Sequence, residues 1–214
     1  ALRQGNPELR IHYEYVPMKV EELETEVLSQ VCGKVQSFGV NENEIKRVLQ
    51  NYGFHKEYAA IQEDERAYTL YLGALKLFRH WGLERFHLHN LGYYVVVVAK
   101  PYPISPQKVR QACLYASAVN AIKAKYGGYV EPQKLAEVAN WPLSKIGFEQ
   151  LASFLRDMKQ VDSQIDEEFL GEGIWEQEDH YVMIVPSHVI PNPVSTVGMG
   201  DTISSSSYLA ELSS

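Results

Sequence analysis

The sequence predicts an α/β protein built on a parallel sheet, and three observations support that prediction. Residues 10–51 alternate strand, helix, strand and helix, which is the order of βαβ units. Further along, strand-sized apolar segments such as residues 93–99 are interleaved with amphipathic helical patterns. The 214 residues are 45% hydrophobic and 22% charged, which is ordinary for one large globular domain or for a domain with an appendage.

The first predicted elements follow from side-chain type and spacing. Aromatic and β-branched residues favour a strand in the first segment, and apolar residues at helical spacing predict the helix that follows it. Asn41 is expected to cap the next helix, which ends near Gly53, and Gly82 terminates a strongly amphipathic one. In order, the predicted elements are a strand at 10–16, a helix at 20–31, a strand at 35–40, and helices at 41–51 and 64–81.

The remaining elements are separated by turn signals. Asn90, Leu91 and Gly92 predict a turn between two strands, and Gly127 with Gly128 ends a long helix that has a face of small residues. The acidic segment 162–178 is expected to be a surface loop that is in part helical. The predicted strands are 85–89, 93–99, 181–186 and 189–190, and the predicted helices are 106–126, 131–139, 145–158 and a last one after residue 200.

A glycine-rich turn near the end of the chain is the most informative motif. In the segment 195–208, Gly198 and Gly200 stand directly before Asp201, and small and hydroxyl residues continue as a helix. Glycine lets a ligand approach the main chain closely, and a helix that starts there points N–H groups and a positive dipole end at that ligand. The motif therefore predicts an anion hole suited to phosphate. The alternative is that Asp201 simply caps a terminal helix.

Charge and composition restrict the partners. The formal net charge is −7, which argues against nucleic acid as the main partner. No Lys or Arg follows Lys159, so the anion must be held by backbone N–H groups, a metal, or cations from elsewhere in the fold. No apolar run reaches roughly 18 residues, so no membrane span is expected. Cys32 and Cys113 lack metal or redox spacing, which favours a cytoplasmic protein with reduced thiols.

Acidic and amide side chains follow two of the predicted strands. Glu14 ends the first strand, and Asn41 and Glu44 open the helix after the second. The carboxyl ends of strands are where open α/β sheets build their sites. Carboxylate and amide oxygens are ligands that Mg²⁺ prefers, often through water. Mg²⁺ beside an anion hole and an acid indicates phosphoryl transfer, although Asn41 and Glu44 could also form only a capping box.

Four ordered motifs resemble the ADP-dependent glucokinases and phosphofructokinases of the ribokinase-like superfamily. They are His12-x-Glu14, Asn41-x-x-Glu44, His87-x-His89 followed by Gly92-Tyr93-Tyr94, and Thr196-Val197-Gly198-x-Gly200-Asp201-Thr202-Ile203-Ser204. The resemblance covers essentially the whole chain. It implies a three-layer fold around a mostly parallel central sheet.

The resemblance also implies roles for individual residues. Asp201 would accept the proton of the sugar hydroxyl, and the N–H groups of Gly198, Met199 and Gly200 would form the anion hole, with Thr196 in the same nucleotide-binding motif. Mg²⁺ would be positioned, largely through water, by three side chains: Glu14, Asn41 and Glu44. The adenine of the ADP donor would lie near three others: His89, Tyr93 and Ile190. Tyr93 and Tyr94 could instead only pack within the sheet.

The implied reaction is transfer of the β-phosphoryl group of ADP to glucose or fructose 6-phosphate with release of AMP. Family members are about twice this length, so residues 1–214 are expected to be the C-terminal part of the large nucleotide-binding domain. The lid and the sugar-binding half would then be missing, and this chain alone would be inactive. Two alternatives stay open: a non-catalytic nucleotide-binding module that needs the missing half as a partner, and an ATP-dependent ribokinase-like kinase.

Overall fold

A computed structural model describes residues 5, 6 and 8–213. One six-stranded sheet runs through it in the order β1-β2-β3-β4-β6-β5. The strands are β1 (His12–Glu14), β2 (Ser37–Asn41), β3 (Arg85–Asn90), β4 (Tyr93–Ala99), β5 (Ile174–Glu176) and β6 (His180–Pro186). The helices are α1 (Glu21–Cys32), α2 (Glu42–Asn51), α3 (His55–Glu63), α4 (Ala67–Trp81), α5 (Pro106–Tyr126), α6 (Leu135–Val138), α7 (Lys145–Met158), α8 (Phe169–Glu172) and α9 (Met199–Leu212).

The sheet is parallel at one end and antiparallel at the other. Strand β2 pairs in parallel with β1 and with β3, as βαβ connections require. The pairs β3–β4, β4–β6 and β5–β6 are antiparallel. The expected parallel pairing therefore holds only for β1 to β3. The reason is local: Gly92, at φ +89°, closes a tight turn between β3 and β4, and two strands joined that tightly must run in opposite directions.

Helices cover both faces of the sheet. The larger core lies between the sheet and α1 to α4 with α7, and includes Phe38, Phe86 and Phe154. The smaller core lies on the opposite face, where Val96, Cys113 and Ile203 join the sheet to α5 and α9. The α/β class and the three layers are thus confirmed. Within the described residues, no helix is both long and apolar enough to span a bilayer.

Most predicted elements are present, with a few corrections. The first strand is shorter than expected, and helix α3 was not predicted. The acidic segment contains the short helix α8, as the partly helical expectation allowed, and also the strand β5, which was not predicted. Residues 189–190 are not a strand, because Pro191 and Pro193 follow at once and cannot donate to a sheet.

Candidate functional site

The glycine turn begins helix α9 as the motif predicted. Gly198 adopts the left-handed conformation at φ +68° and is the N-cap of α9, a backbone shape that favours glycine. The Met199 N–H donates to the Thr196 carbonyl at 3.3 Å, so it is used inside the turn. The first N–H groups of a helix have no intrahelical acceptor. The N–H groups of Gly200 and Asp201 therefore remain open at the start of the helix, whereas that of Met199 is used, and the anion hole itself stays a prediction.

Asp201 lies in the first turn of α9 and is exposed to solvent. Its carboxylate leans back over the start of the helix, because Oδ2 is 3.7 Å from the point that a Cβ on Gly198 would occupy. A carboxylate in this place is next to the open N–H groups of the helix, and it is accessible to the hydroxyl group of a substrate. The structure is therefore compatible with Asp201 as a proton acceptor, and that role stays a prediction.

A lysine from another helix supports the turn. Lys123 of α5 donates from Nζ to the Gly198 carbonyl at 2.9 Å and to the Thr202 hydroxyl at 2.8 Å. No Lys or Arg follows Lys159, so this cation comes from elsewhere in the fold. Lys123 was not predicted from the sequence, because it lies 75 residues before Gly198 in an ordinary amphipathic helix.

Glu14 is held close to the start of α9 by two histidines. Its Oε1 accepts from His89 Nε2 at 2.8 Å, and its Oε2 is 3.2 Å from His12 Nε2. Burial alone would raise the pKa of Glu14, but the hydrogen bonds from His12 and His89 outweigh it and lower the pKa to about 2. Glu14 is therefore a stable carboxylate at neutral pH.

Two glycines make room for this carboxylate. A Cβ on Gly39 of β2 would lie 2.0 Å from Glu14 Oε2, and a Cβ on Gly200 of α9 would lie 3.1 Å from Oε1. A side chain at Gly39 would force the carboxylate to move, and one at Gly200 would crowd it, so glycine is favoured at both positions. This close approach gives a physical reason for Gly39 and for Gly200.

Asn41 and Glu44 form a complete capping box on α2. Asn41 Oδ1 accepts from the Asn43 and Glu44 N–H groups, each at 2.9 Å, and Glu44 Oε2 accepts from the Asn41 N–H at 2.8 Å. Burial raises the pKa of Glu44, and the charge of Glu14 adds to that effect, while the Asn41 N–H and His89 oppose it. The carboxylates of Glu44 and Glu14 are therefore close enough for their charges to repel each other.

The predicted metal ligands fit a hydrated ion better than a directly chelated one. No group of three His, Cys, Asp or Glu side chains in the described part of the chain could hold a metal ion directly. Both lone pairs of Asn41 Oδ1 accept capping-box hydrogen bonds, so Asn41 holds Glu44 in place, and its part in a metal site stays a prediction. Glu14 and Glu44 remain, as two neighbouring carboxylates, and Mg²⁺ commonly binds one or two carboxylates while keeping several waters.

A cleft of about 380 Å³ lies beside Asn41 and is bordered by part of α5. It is lined by most of the predicted nucleotide-binding residues: His89, Ile190, Thr196, Met199 and Gly200. Glu14, Glu44, Gly198 and Asp201 are not lining residues, and neither is Tyr93. It is only 2% exposed, lies in the larger core, and accepts a hydrogen bond from Asn90 Nδ2 at 3.0 Å. Successive strand residues face opposite sides of a sheet, and Tyr94 lines the cleft instead.

The far end of α9 is fixed by a buried ion pair. Arg85 of β3 donates from Nε to Glu211 Oε2 at 3.0 Å, and both side chains are fully buried. Arg85 also donates to the Ser207 hydroxyl at 3.0 Å and to the Ser37 hydroxyl at 3.3 Å. Since α9 carries Gly200 and Asp201 at its other end, this pair holds the helix that forms one wall of the site.

Comparison with known proteins identifies the family of the chain. The family model described as the ADP-specific phosphofructokinase/glucokinase conserved region matches residues 1–210. The chain belongs to this family. An ADP-specific phosphofructokinase of Methanosarcina acetivorans is 32% identical over 99% of the chain. An ADP-dependent glucose/glucosamine kinase of Pyrococcus furiosus is 28% identical over 96% of it.

Solved structures of the ADP-specific phosphofructokinase/glucokinase family share the fold as well. The chain aligns over 99% of its length, at 32% identity and a TM-score of 0.91, with an ADP-dependent kinase in complex with fructose-6-phosphate and ADPβS. That alignment covers 46% of the solved chain. The Methanosarcina and Pyrococcus relatives are covered over 43% and 42% of their lengths. The chain thus spans less than half the length of the family members that it matches.

Proposed function

We propose that this chain forms the nucleotide-binding part of a sugar kinase that transfers the β-phosphoryl group of ADP to glucose or fructose 6-phosphate and releases AMP. One observation carries the proposal: the N-terminus of α9, where the exposed Asp201 follows Gly200, lies against the histidine-paired Glu14, and Gly200 and His89 line a cleft. An anion hole, a fixed carboxylate and a free acid at a single point are the parts that phosphoryl transfer uses.

Each group has a distinct role in this proposal. The N–H groups of Gly200 and Asp201, with the helix dipole, hold the oxygens of the phosphoryl group. Lys123 keeps the glycine turn in shape through the Gly198 carbonyl. Asp201 accepts the proton of the attacking sugar hydroxyl. The transition state is loose, so positioning and charge stabilisation supply most of the catalysis, and a modest base is sufficient.

Mg²⁺ would be held through water by Glu14 and Glu44, with Asn41 fixing the position of Glu44. The ion would neutralise charge that develops on the phosphate oxygens. Glu14 is suited to this because its lowered pKa keeps it ionised, and His12 and His89 restrain both of its oxygens. In this arrangement the two histidines orient the carboxylate.

The chain is proposed to be the C-terminal part of the nucleotide-binding domain, with the lid and most sugar contacts supplied by sequence outside these 214 residues. The support is the 42–46% of each relative that the alignments cover. Binding and turnover are therefore separate expectations. The chain by itself should bind ADP and AMP in the presence of Mg²⁺, and should not phosphorylate glucose or fructose 6-phosphate.

Calorimetry with ADP, AMP and ATP tests the proposal. We expect ADP to bind more tightly than ATP, and Asp201→Asn to keep ADP affinity because it removes a negative charge beside the phosphate. In any assay where the chain supports sugar phosphorylation, Asp201→Asn should lower kcat about 10²–10⁴-fold. Asp166→Asn, at an exposed aspartate of the acidic segment, is the matched control. A folded chain that binds none of these nucleotides, or one that prefers ATP, contradicts the proposal.

A further inference from the structure

Asn120 is a buried amide with an unused acceptor in the wall of the cleft. It lies in the second half of α5, is 6% exposed, and lines the cleft. Its Oδ1 is buried and has no hydrogen-bond partner. Buried polar groups almost always have a partner, and each exception calls for an explanation. Since the side chain of Asn120 lines the cleft, a bound ligand that donates a hydrogen bond to Oδ1 would supply the missing partner.

The lining of the cleft combines polar and apolar groups. Gly200, at the N-terminus of α9, and the polar side chains of Asn41 and His89 are part of it. Apolar side chains, including Ile190, Met199 and Ile203, also line the cleft, and Asn120 adds an amide that belongs to α5 rather than to the glycine turn. A ligand with an anionic end, an apolar flat body and a hydrogen-bond donor matches this lining. A purine nucleotide has that arrangement when its phosphates lie at Gly200.

We infer that Asn120 selects the base of the bound nucleotide, with Oδ1 accepting a hydrogen bond from the 6-amino group of adenine. This inference rests on the proposed function and deepens it, because it names the group that distinguishes one nucleoside diphosphate from another. Adenine carries an NH₂ donor at position 6, whereas hypoxanthine carries a carbonyl oxygen there, which would face Oδ1 acceptor to acceptor. A site built to bond an N–H group discriminates strongly against a ligand that lacks it.

The test compares ADP with the diphosphate of purine riboside, which lacks the 6-amino group, and with IDP. Dissociation constants are measured by calorimetry with Mg²⁺ for the parent chain, Asn120→Leu and Asn120→Ala. Gln111→Leu, the same kind of substitution on the exposed side of α5, is the control. Circular dichroism checks that each variant is folded. Asn120→Ala replaces Asn120→Leu in the comparison if the larger side chain disturbs packing.

We expect the parent chain and Gln111→Leu to bind ADP about tenfold more tightly than either analogue, which is the order of one hydrogen bond. In the Asn120 variants the ratio should fall to about one, because ADP affinity drops while analogue affinity stays. Equal affinity for ADP and the desamino analogue in the parent chain would overturn the inference and leave the proposed function intact. The inference is also overturned, and the proposed function again left intact, if the affinities for ADP and for the analogues fall by the same factor in the folded Asn120 variants. A parent chain that binds no nucleotide overturns both.

Discussion

Breaking the buried ion pair between Arg85 and Glu211 is the most direct test of how the last helix is held. Arg85 Nε lies 3.0 Å from Glu211 Oε2, and both side chains are 0% exposed. The Tyr102 hydroxyl donates to the other oxygen of Glu211 at 2.7 Å. Glu211→Leu therefore leaves a guanidinium buried without its anion and a tyrosine without its acceptor.

The expected cost of this substitution is large. Removing one partner of a buried pair costs about 3–5 kcal/mol, and a domain of this kind typically has about 5–15 kcal/mol of total stability. Glu211→Leu should thus remove about a fifth or more of the free energy of unfolding. The double variant Arg85→Met with Glu211→Leu should be clearly more stable than the sum of the two single changes, because it leaves no unpaired charge.

Urea denaturation followed by circular dichroism measures these free energies. The exposed pair Lys159–Glu167, at 2.6 Å with side chains 41% and 71% exposed, offers a control, since Glu167→Leu should cost less than about 1 kcal/mol. If Glu211→Leu costs no more stability than Glu167→Leu, the buried ion pair does not hold α9. The same conclusion follows if the stability losses of Arg85→Met and Glu211→Leu simply add in the double variant.

Three further predictions concern the site itself. Gly39→Ala should lower the free energy of unfolding by about 1–3 kcal/mol, because its Cβ would lie 2.0 Å from Glu14 Oε2; an unchanged urea midpoint would contradict this. The pKa of Glu14 falls from 4.5 to about 2 on folding, so its contribution of about 3 kcal/mol is present above pH 4.5 and is lost as the pH falls towards 2. Over that pH range the free energy of unfolding, measured by urea denaturation, should therefore fall less for Glu14→Gln than for the parent chain. If it falls equally with pH in both proteins, the prediction is wrong. Lys123→Met should weaken ADP binding about tenfold, as measured by calorimetry, because it removes the hydrogen bond to the Gly198 carbonyl. Lys125→Met on the same helix should leave ADP affinity unchanged. If the two variants weaken binding equally, Lys123 has no special role.

Local patterns determined most of the secondary structure. Residues 106–126 and 145–158 were predicted as helices and are α5 and α7, because proline or serine at the start, apolar spacing and a closing glycine or lysine are short-range signals. The strand at 93–99 was likewise predicted from its run of β-branched residues. The elements that were missed, such as α3, lack such a clear pattern within their own residues.

The sequence by itself also determined the family and the glycine turn, because both depend on residues that are neighbours along the chain. The tertiary structure alone decided which distant residues meet. It brought Lys123 to Gly198, and it placed Glu14 between His12 and His89. It also turned Tyr93 into the core and left the Asn120 oxygen without a partner. The physical reason is that periodicity fixes a local conformation, whereas the packing of α5 and α9 on the sheet decides which surfaces face each other.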